Sequence, residues 1–260
     1  MTPLEEYYNK FNEEKRLLSR HGQVEYFVTM EYIHRYIQKL QNNSESLSII
    51  DIGAGTGRYS VALASEGHDV TAVELVKYNL GILKKKNSTV KAFQGNALNL
   101  KKFASNYYDI ALLFGPMYHL ISFEEKQKAL SEAMRVVKPG GYLLVAYCMN
   151  DYSILTYGFK ENHIKECIAE GRIDEHFHVN PKDGELYDYV SLSEIDALNT
   201  SLNYKRVQII APDGPSDYMR QILNAMDEDT FQLFLKYQLQ NCERTDLLGA
   251  SSHIVDILQK

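Results

Sequence analysis

One stretch of the sequence has the residue types needed to bind a nucleoside-containing ligand. It consists of an acidic residue followed by three glycines at alternate positions. Asp51 lies near the end of an apolar run, Leu47–Ile52, and Gly53, Gly55 and Gly57 come next. A Cβ at these glycines would hold the backbone away from a ligand. An apolar helical pattern begins beyond them, and a helix N-terminus offers unpaired N–H groups. Strand, tight turn and helix predict the first half of a nucleotide-binding βαβ unit.

The glycine spacing discriminates among nucleotides. A dinucleotide fingerprint, G-x-G-x-x-G, would need a glycine at position 58, where this chain has Arg58. A phosphate-binding P-loop would end in G-K-[ST], which is absent from this stretch. The carboxylate of Asp51 suits a ligand with positive charge or amine donors better than one with a pyrophosphate.

A second acidic residue, Glu74, ends the second predicted strand, which begins at His68. It follows Asp51 by roughly 20 residues, the separation at which an acidic side chain reaches a ribose. Its two oxygens can accept hydrogen bonds from both ribose hydroxyls. NAD-dependent enzymes also have an acidic residue at this position. The glycine spacing is therefore the feature that distinguishes this chain from them.

Three motifs now carry a resemblance to a known family. The stretch D-x-G-x-G-x-G at residues 51–57 resembles the first motif of class I S-adenosylmethionine (SAM)-dependent methyltransferases. The run M-R-V-V-K-P-G-G-Y-L-L-V at residues 134–145 is similar to a late motif of that family, in which K-P-G-G forms a turn. F-G-P-M-Y-H-L at residues 114–120 looks like the G-P-x-Y-H-L segment of bacterial small-molecule methyltransferases.

The resemblance covers about residues 47–146 and implies an α/β fold. That fold is a Rossmann-like, seven-stranded, mostly parallel sheet with helices on both sides, plus helical cap and lid insertions. We expect one methyltransferase domain over residues 1–260. It would comprise an N-terminal cap (1–44), a SAM-binding core (45–146) and substrate-covering insertions (147–190 and 212–250). Residues 252–260 could form a last helical turn, whereas the resemblance makes them an antiparallel seventh strand.

The resemblance also implies the cofactor, SAM, with S-adenosylhomocysteine (SAH) as its product. SAM has no phosphate but carries an ammonium, a sulfonium, a ribose and an adenine. At position 96 the family usually has an acid that accepts from the adenine amino group. Asn96 can accept the same bond without the strength of a charge. The cofactor-binding residues expected on this basis are Asp51, Gly53, Ala54, Gly55, Thr56, Gly57, Glu74, Leu75, Asn96, Ala97 and Phe114.

The loop after the fourth predicted strand holds the candidate catalytic residues, Tyr118 and His119. Either could orient or deprotonate an acceptor, and histidine is the most frequent general base. A hydrogen-bonded structural histidine is the alternative for His119. The D/N-P-P-Y motif of enzymes that methylate nucleobases or amide nitrogens is absent here. Tyr7, Tyr8 and Tyr26, in the leading helices, either face the site or pack on the sheet.

Composition narrows the classes of partner. With 260 residues and a net charge of −6, the chain is not expected to grip nucleic-acid phosphates through bulk charge. We expect no membrane span, because the longest apolar stretches are too short, and no signal peptide. Three scattered cysteines predict neither a disulfide framework nor a zinc site, and a cytoplasmic location follows.

No metal is expected. His176 and His178 would share one face of an extended segment and could form half a metal site. No third ligand stands at a telling spacing, so surface strand residues are the preferred interpretation.

These observations predict an enzyme, a SAM-dependent methyltransferase acting on a small-molecule acceptor. The alternatives are an RNA or protein methyltransferase on the same core and a non-catalytic protein that binds SAM or a nucleotide. An NAD-dependent dehydrogenase is more distant. The acceptor, the atom methylated and the oligomeric state are left open by the sequence.

Overall fold

A central sheet organises the computed structural model, which describes residues 3–10, 19–41, 46–86, 88–182 and 185–260. Its strands are β1 Ser48–Ile52, β2 Asp69–Glu74, β3 Lys91–Gln94, β4 Tyr108–Leu113, β5 Val137–Cys148, β6 Lys205–Ile210 and β7 His253–Gln259. The seven strands lie in the order β3-β2-β1-β4-β5-β7-β6. The first five strands are parallel, and β7 runs antiparallel to both of its neighbours. The predicted fold is confirmed.

Helices cover both faces of the sheet. In the described residues they are α1 Pro3–Lys10, α2 Arg20–Leu40, α3 Arg58–Ser65, α4 Lys77–Lys84, α5 Phe123–Val136, α6 Asn150–Ser153, α7 Ile164–Ala169, α8 Leu192–Ser201, α9 Arg220–Ala225 and α10 Glu228–Asn241. A 3-10 helix spans Pro116–His119 and a π-helical segment spans Ile154–Lys160. Among all of these, not one combines the length and apolar character that crossing a membrane would require.

The apolar sequence of β1 follows from burial on both of its faces. Successive strand residues point to opposite sides. Ile50 and Ile52 therefore pack with α5 and α8 in one core, whereas Ile49 packs with α2 and α3 in the other. All three isoleucines are fully buried. The two cores fix the sheet between its helical layers, so the carboxyl ends of β1, β2 and β4 meet along one edge.

Serine side chains cap the starts of several helices, among them α5 and α8. The Ser122 hydroxyl accepts a hydrogen bond from the Glu125 backbone N–H at the start of α5. At α8, Ser191 and Glu194 form a reciprocal capping box, in which each side chain accepts from the other residue's backbone N–H.

The start of β5 differs from prediction. Residues 138–141, which were expected to form a turn, lie within β5, and β5 continues to Cys148, beyond the predicted end of the SAM-binding core at residue 146. Pairing with the end of the chain explains why residues 140 and 141 belong to the strand. Gly140 N–H donates to the Lys260 carbonyl at 2.8 Å, and Lys260 N–H donates to the Gly141 carbonyl at 3.1 Å. The expectation of an antiparallel seventh strand at the chain end is confirmed, and the helical alternative is wrong.

The two histidines at positions 176 and 178 are not on an extended strand, and that interpretation is wrong. One oxygen of Asp174 accepts hydrogen bonds from the backbone N–H groups of both histidines, at 2.9 and 2.8 Å. Phe177 between them has a φ of 58°, so the segment turns. The His178 ring contacts Glu194 at 3.0 Å, while His176 is 83% exposed.

Candidate functional site

The glycine loop after β1 packs closely on the loop after β4. Gly53, Gly55 and Gly57 have φ values of 80°, 56° and 81°, a region that side chains with a Cβ disfavour. A Cβ on Gly53 would lie 2.5 Å from Pro116 Cδ, which leaves no room for a methyl group. A Cβ on Gly57 would lie 2.2 Å from Leu83 Cδ1. Gly53 and Gly57 are therefore required for the packing of this loop.

Glu74 is positioned at the end of β2 by backbone donors. One carboxylate oxygen accepts from Gly55 N–H and the other from Val76 N–H, each at 2.7 Å. The side chain is buried, and its residue is only 5% exposed. These two backbone donors fix the direction of the carboxylate, whose oxygens act only as acceptors. This arrangement can bind two neighbouring hydroxyl groups.

A cavity of about 260 Å³ lies against these two elements, and we call it the glycine-loop cavity. Of the predicted cofactor-binding residues, its wall includes Gly53, Gly55, Glu74, Leu75, Asn96 and Ala97. Wall residues that the sequence did not single out include Leu4, Val76, Asn79, Leu98, Pro116 and Glu125. Glu74 and Glu125 are acidic, and no lysine or arginine occurs among the described wall residues. Such a wall disfavours a pyrophosphate and favours a ligand that carries positive charge.

Five predicted cofactor-binding residues lie outside that wall: Asp51, Ala54, Thr56, Gly57 and Phe114. Asp51 is fully buried below the loop and accepts from the Ser60 hydroxyl at 2.5 Å. Burial raises the pKa of Asp51 to about 6, with the Ser60 hydrogen bonds acting in the opposite direction. The Phe114 ring packs edge-on against Tyr59, with centroids 5.1 Å apart, on the face of the sheet covered by α2.

Asn96 lies in the wall, but part of its hydrogen-bonding capacity is used locally. Its side-chain oxygen accepts from Leu98 N–H at 2.9 Å and closes a turn. The oxygen has a second lone pair that can accept from a ligand amine. Asn96 can therefore close this turn and contact a ligand at the same time.

Both ring nitrogens of His119 bond to other parts of the chain. Nδ1 lies 2.7 Å from the Leu186 carbonyl oxygen, so it carries the hydrogen and donates. Nε2 lies 2.8 Å from the Tyr8 hydroxyl and is therefore the acceptor. Burial lowers the pKa of His119, and the Leu186 bond opposes that shift. The imidazole is thus neutral at pH 7, and its accepting nitrogen is occupied by Tyr8.

A buried ion pair holds the segment 186–190 against the 3-10 helix. Lys126 and Asp188 are 4% and 7% exposed and bond directly to each other. Asp188 N–H also donates to the Tyr118 carbonyl at 2.9 Å. The Tyr118 ring stacks on Tyr187, with centroids 5.9 Å apart and an interplanar angle of 23°. The positions of Tyr118 and His119 therefore depend on this segment.

A second cavity, of about 240 Å³, adjoins the first, and both walls include Tyr8 and Tyr118. We call it the acidic cavity, because Glu25, Asp213 and Asp217 face it. The rest of its wall is His21, Gly22, Cys148, Tyr152, Tyr187, Tyr189, Arg220, Ser252 and His253. Of the three tyrosines considered in α1 and α2, Tyr8 alone lies in either wall. Tyr7 contacts Tyr187, and Tyr26 packs on Tyr59.

Asp213 is the most strongly hydrogen-bonded acid of this cavity. One oxygen accepts from Ser251 Oγ at 2.5 Å and His253 N–H at 3.1 Å. The other accepts from Ser252 Oγ and from His253 Nδ1, the latter at 2.7 Å. The residue is 2% exposed. Four donors fill the acceptor positions of a carboxylate, so Asp213 has no capacity left for a ligand.

The environment of His253 is electronegative. Burial alone would lower the pKa of His253, but Cys148, Glu25 and Asp213 together raise it well above its ordinary value. Cys148 faces His253 directly across the β5–β7 pair. Glu25, Asp213 and His253 each place one potential metal-ligating atom within 4.8 Å of the others. The saturated hydrogen bonding of Asp213 argues against direct coordination by that residue.

Arg220 and Asp217 form a further pair at the edge of the acidic cavity, 2.7 Å apart. Burial would raise the pKa of Asp217, but the Arg220 hydrogen bond and charge lower it to about 2. None of the charged residues of this cavity was singled out from the sequence. They come from α2, the 211–220 segment and β7, and no local spacing connects them.

Comparison with known proteins gives a family match in the core. Residues 50–145 match the family profile of a methyltransferase domain. The chain is 36% identical over 111 residues to a demethylmenaquinone methyltransferase of Renibacterium salmoninarum, covering 42% of this chain and 43% of that protein. The chain thus matches less than half the length of this relative.

Two solved structures share the fold over most of the chain. One is a SAM-dependent methyltransferase of Thermotoga maritima, described as a possible histamine N-methyltransferase. It has a TM-score of 0.58 and 19% identity, covering 99% of this chain and 98% of that one. The other is magnesium protoporphyrin IX methyltransferase from Synechocystis with bound SAH. It has a TM-score of 0.55 and 11% identity, covering 91% of this chain and 84% of that one.

Proposed function

We propose that this chain, whose residues 50–145 form a methyltransferase domain of the class I SAM-dependent type, transfers a methyl group from SAM to a small polar acceptor. The observation that carries the proposal is the pair of adjoining cavities that share Tyr8 and Tyr118. One has the glycine loop and an oriented carboxylate, and the other has a polar wall. A donor and an acceptor could therefore meet at the two tyrosines.

The glycine-loop cavity fits SAM better than a phosphorylated nucleotide. Glu74 would accept the ribose hydroxyls, while Leu75, Ala97 and Leu98 would enclose the adenine. Gly53 and Gly55 bring bare backbone to the cavity wall, beside the ligand. The absence of lysine and arginine from the described wall favours the ammonium and sulfonium of SAM. When bound, SAM supplies a methyl group on a positively charged sulfur.

The acidic cavity favours a small polar acceptor. Its volume of about 240 Å³ suits a compact molecule. Carboxylates, imidazoles and tyrosine hydroxyls make up much of its wall, and an apolar acceptor would leave those groups desolvated without partners. Each segment expected to form a cap or lid contributes to it: Glu25 from 1–44, Tyr189 from 147–190 and Asp217 from 212–250. This supports a substrate-covering role for those segments.

The chain's contribution to the reaction would be alignment and exclusion of water. Holding two reactants in line contributes about 7–11 kcal/mol at most to lowering a barrier. The rings of Tyr8 and Tyr118 lie where the cavities meet and can stabilise nearby positive charge through their faces. His119, which accepts from the Tyr8 hydroxyl, would hold that ring in position.

Calorimetric titration with SAM, SAH and NAD tests the cofactor. We expect binding of SAM and SAH, no binding of NAD, and loss of SAM binding in Gly55→Val. Gly249→Val is the matched control, because nothing lies within 4 Å of a Cβ added there. Binding of NAD without SAM would refute the proposal.

Turnover is then followed as SAH formation with a panel of small phenols, amines and carboxylic acids. A parallel reaction contains total RNA and cell protein with SAM labelled in its methyl group. We expect label in small molecules. Label in RNA or protein instead would replace the acceptor part of the proposal. SAM binding without methylation of any acceptor would favour a non-catalytic binder.

A further inference from the structure

We propose that His253, held by Asp213, accepts the proton that an O–H or N–H group of the acceptor loses when that group is methylated. The inference rests on the methyltransferase function proposed above and assigns a catalytic residue to the acidic cavity. It also narrows the acceptor to a molecule that carries an ionisable O–H or N–H at the reacting atom.

The hydrogen bonds of His253 determine which nitrogen is available. Nδ1 lies 2.7 Å from an oxygen of Asp213, so Nδ1 carries a hydrogen and donates it. Asp213 is itself held by Ser251, Ser252 and the His253 backbone, which fixes the direction of the ring. Nε2 has no protein hydrogen-bond partner within the described ranges, and the side chain remains 19% exposed in the cavity wall. The free nitrogen of an anchored imidazole is thus accessible from the cavity.

Glu25 places a carboxylate beside the His253 ring, within 4.8 Å of one of its ring nitrogens. Both side chains face the acidic cavity, so an acceptor bound there meets the imidazole and a negative charge together. His119 offers no such arrangement, because Leu186 and Tyr8 occupy its two nitrogens. The geometry therefore favours His253 over His119 as the group that receives the proton.

A lone pair of the acceptor heteroatom forms the new bond to the methyl carbon, and the carbon–sulfur bond of SAM breaks with its electron pair remaining on sulfur. The proton of the O–H or N–H group moves to the neutral Nε2 of His253. The resulting imidazolium is stabilised by Asp213 through Nδ1, and it loses its proton to water after the product leaves.

This role predicts an alkaline pH dependence. Burial lowers the pKa of His253, but the surrounding groups outweigh burial and raise it well above the ordinary value. Only the neutral ring can accept a proton, so kcat should rise with pH until the pH exceeds that raised pKa. The titratable groups that face the ring are Glu25 from α2, Cys148 from β5, Asp213 and Asp217 from the 211–220 segment, and Tyr189.

The test uses the full chain with SAM and three probe acceptors: phenol, catechol and tyramine. For a probe that the wild type methylates, His253→Ala should lower kcat at least 100-fold and leave SAM affinity unchanged. Added imidazole should restore part of the rate, an effect that a purely structural role would not produce. His176→Ala is the matched control, because that ring is 83% exposed.

Two variants separate proton transfer from folding. Asp213→Asn would lower the pKa of His253, but it also removes the acceptor of one of the two serines and is expected to destabilise the fold. Glu25→Gln keeps those bonds and should still move the pH–rate profile to lower pH. Two-dimensional NMR of the His253 ring should show the same shift.

Several results would overturn the inference. These are a His253→Ala rate within threefold of wild type, an unshifted profile in Glu25→Gln, and turnover that is lost with EDTA and restored by Zn²⁺. With SAM bound, failure of wild type to methylate any probe would also overturn it. Failure to bind SAM would instead refute the proposed function itself, so the two failures are distinguishable.

Discussion

Replacing Glu74 tests the proposed ribose contact most directly. Its oxygens accept from Gly55 N–H and Val76 N–H at 2.7 Å, so the carboxylate is already oriented before a ligand arrives. A hydrogen bond to a charged group contributes about 1.5–3 kcal/mol. Loss of two such bonds to ribose hydroxyls in Glu74→Ala would cost about 3 kcal/mol or more. We therefore expect SAM and SAH to bind about 100-fold more weakly.

The same change has a separate effect on stability. Two backbone N–H groups lose their acceptor, and an unsatisfied buried donor costs about 1–3 kcal/mol. Both donors lie beside the glycine-loop cavity, where water can replace the carboxylate, so we expect the lower end of that range. Urea unfolding without ligand measures this loss of stability. Calorimetric titration of the folded variant measures the affinity for SAM separately.

Asp69→Asn is the matched control, because Asp69 begins the strand that Glu74 ends. Its carboxylate pairs with Lys91 at 2.7 Å on the surface, and exposed pairs contribute about 1 kcal/mol or less. We expect unchanged SAM affinity in Asp69→Asn. A folded Glu74→Ala protein that binds SAM within threefold of wild type would refute the ribose assignment.

Three further substitutions test the packing around the site. Gly53→Ala should destabilise the fold by about 1–3 kcal/mol and weaken SAM binding, since the new Cβ would lie 2.5 Å from Pro116 Cδ at a φ of 80°; an unchanged urea midpoint would contradict this. Asp51 has a pKa of about 6 in the fold against 3.8 ordinarily, so wild-type stability should fall by up to about 3 kcal/mol as pH rises from 3.8 through 6. In Asp51→Asn, the urea midpoints at pH 4.5 and 7.5 should not show that fall in stability. The same fall in both proteins would contradict the raised pKa of Asp51. Lys126→Met should cost about 3–5 kcal/mol by leaving Asp188 buried without its partner, with partial recovery in Lys126→Met/Asp188→Leu; a cost below about 1 kcal/mol would show that the pair does not hold the segment.

The sheet and one side of the site were predictable because their signals are local. The apolar strands β1 and β2, the glycines after β1 and the acid at the end of β2 all lie within residues 48–74. The carboxyl ends of neighbouring parallel strands meet at one edge. Gly53, Gly55, Glu74 and Ala97 accordingly come together in one cavity wall.

The sequence could not predict which side of the sheet the side chains of Asp51 and Phe114 face. A strand covered on both faces has apolar residues at every position, so its pattern does not show which side a cavity occupies. Both residues turned out to lie away from the glycine-loop cavity: Asp51 is buried against Ser60, and Phe114 packs against Tyr59.

The acidic cavity was beyond prediction for a different reason. Glu25 and His253 are more than 200 positions apart, and they meet only because β7 inserts between β5 and β6. Asp213 stands in the stretch A-P-D-G-P, and nothing in that stretch indicates a buried carboxylate with four donors. Such a site depends on tertiary packing, and a single sequence carries no period or spacing that reports it.

His119 and His253 have chemically distinct places, one in the wall of each cavity. His119 is neutral because burial lowers its pKa, and its accepting nitrogen already holds the Tyr8 hydroxyl. It can therefore act on an acceptor only through Tyr8, whose ring belongs to both cavity walls. His253 has an anchored donor nitrogen and an accessible second nitrogen. If both assignments hold, Tyr8→Phe and His119→Gln should impair turnover to a similar extent without shifting its pH profile, whereas changes around His253 should shift it.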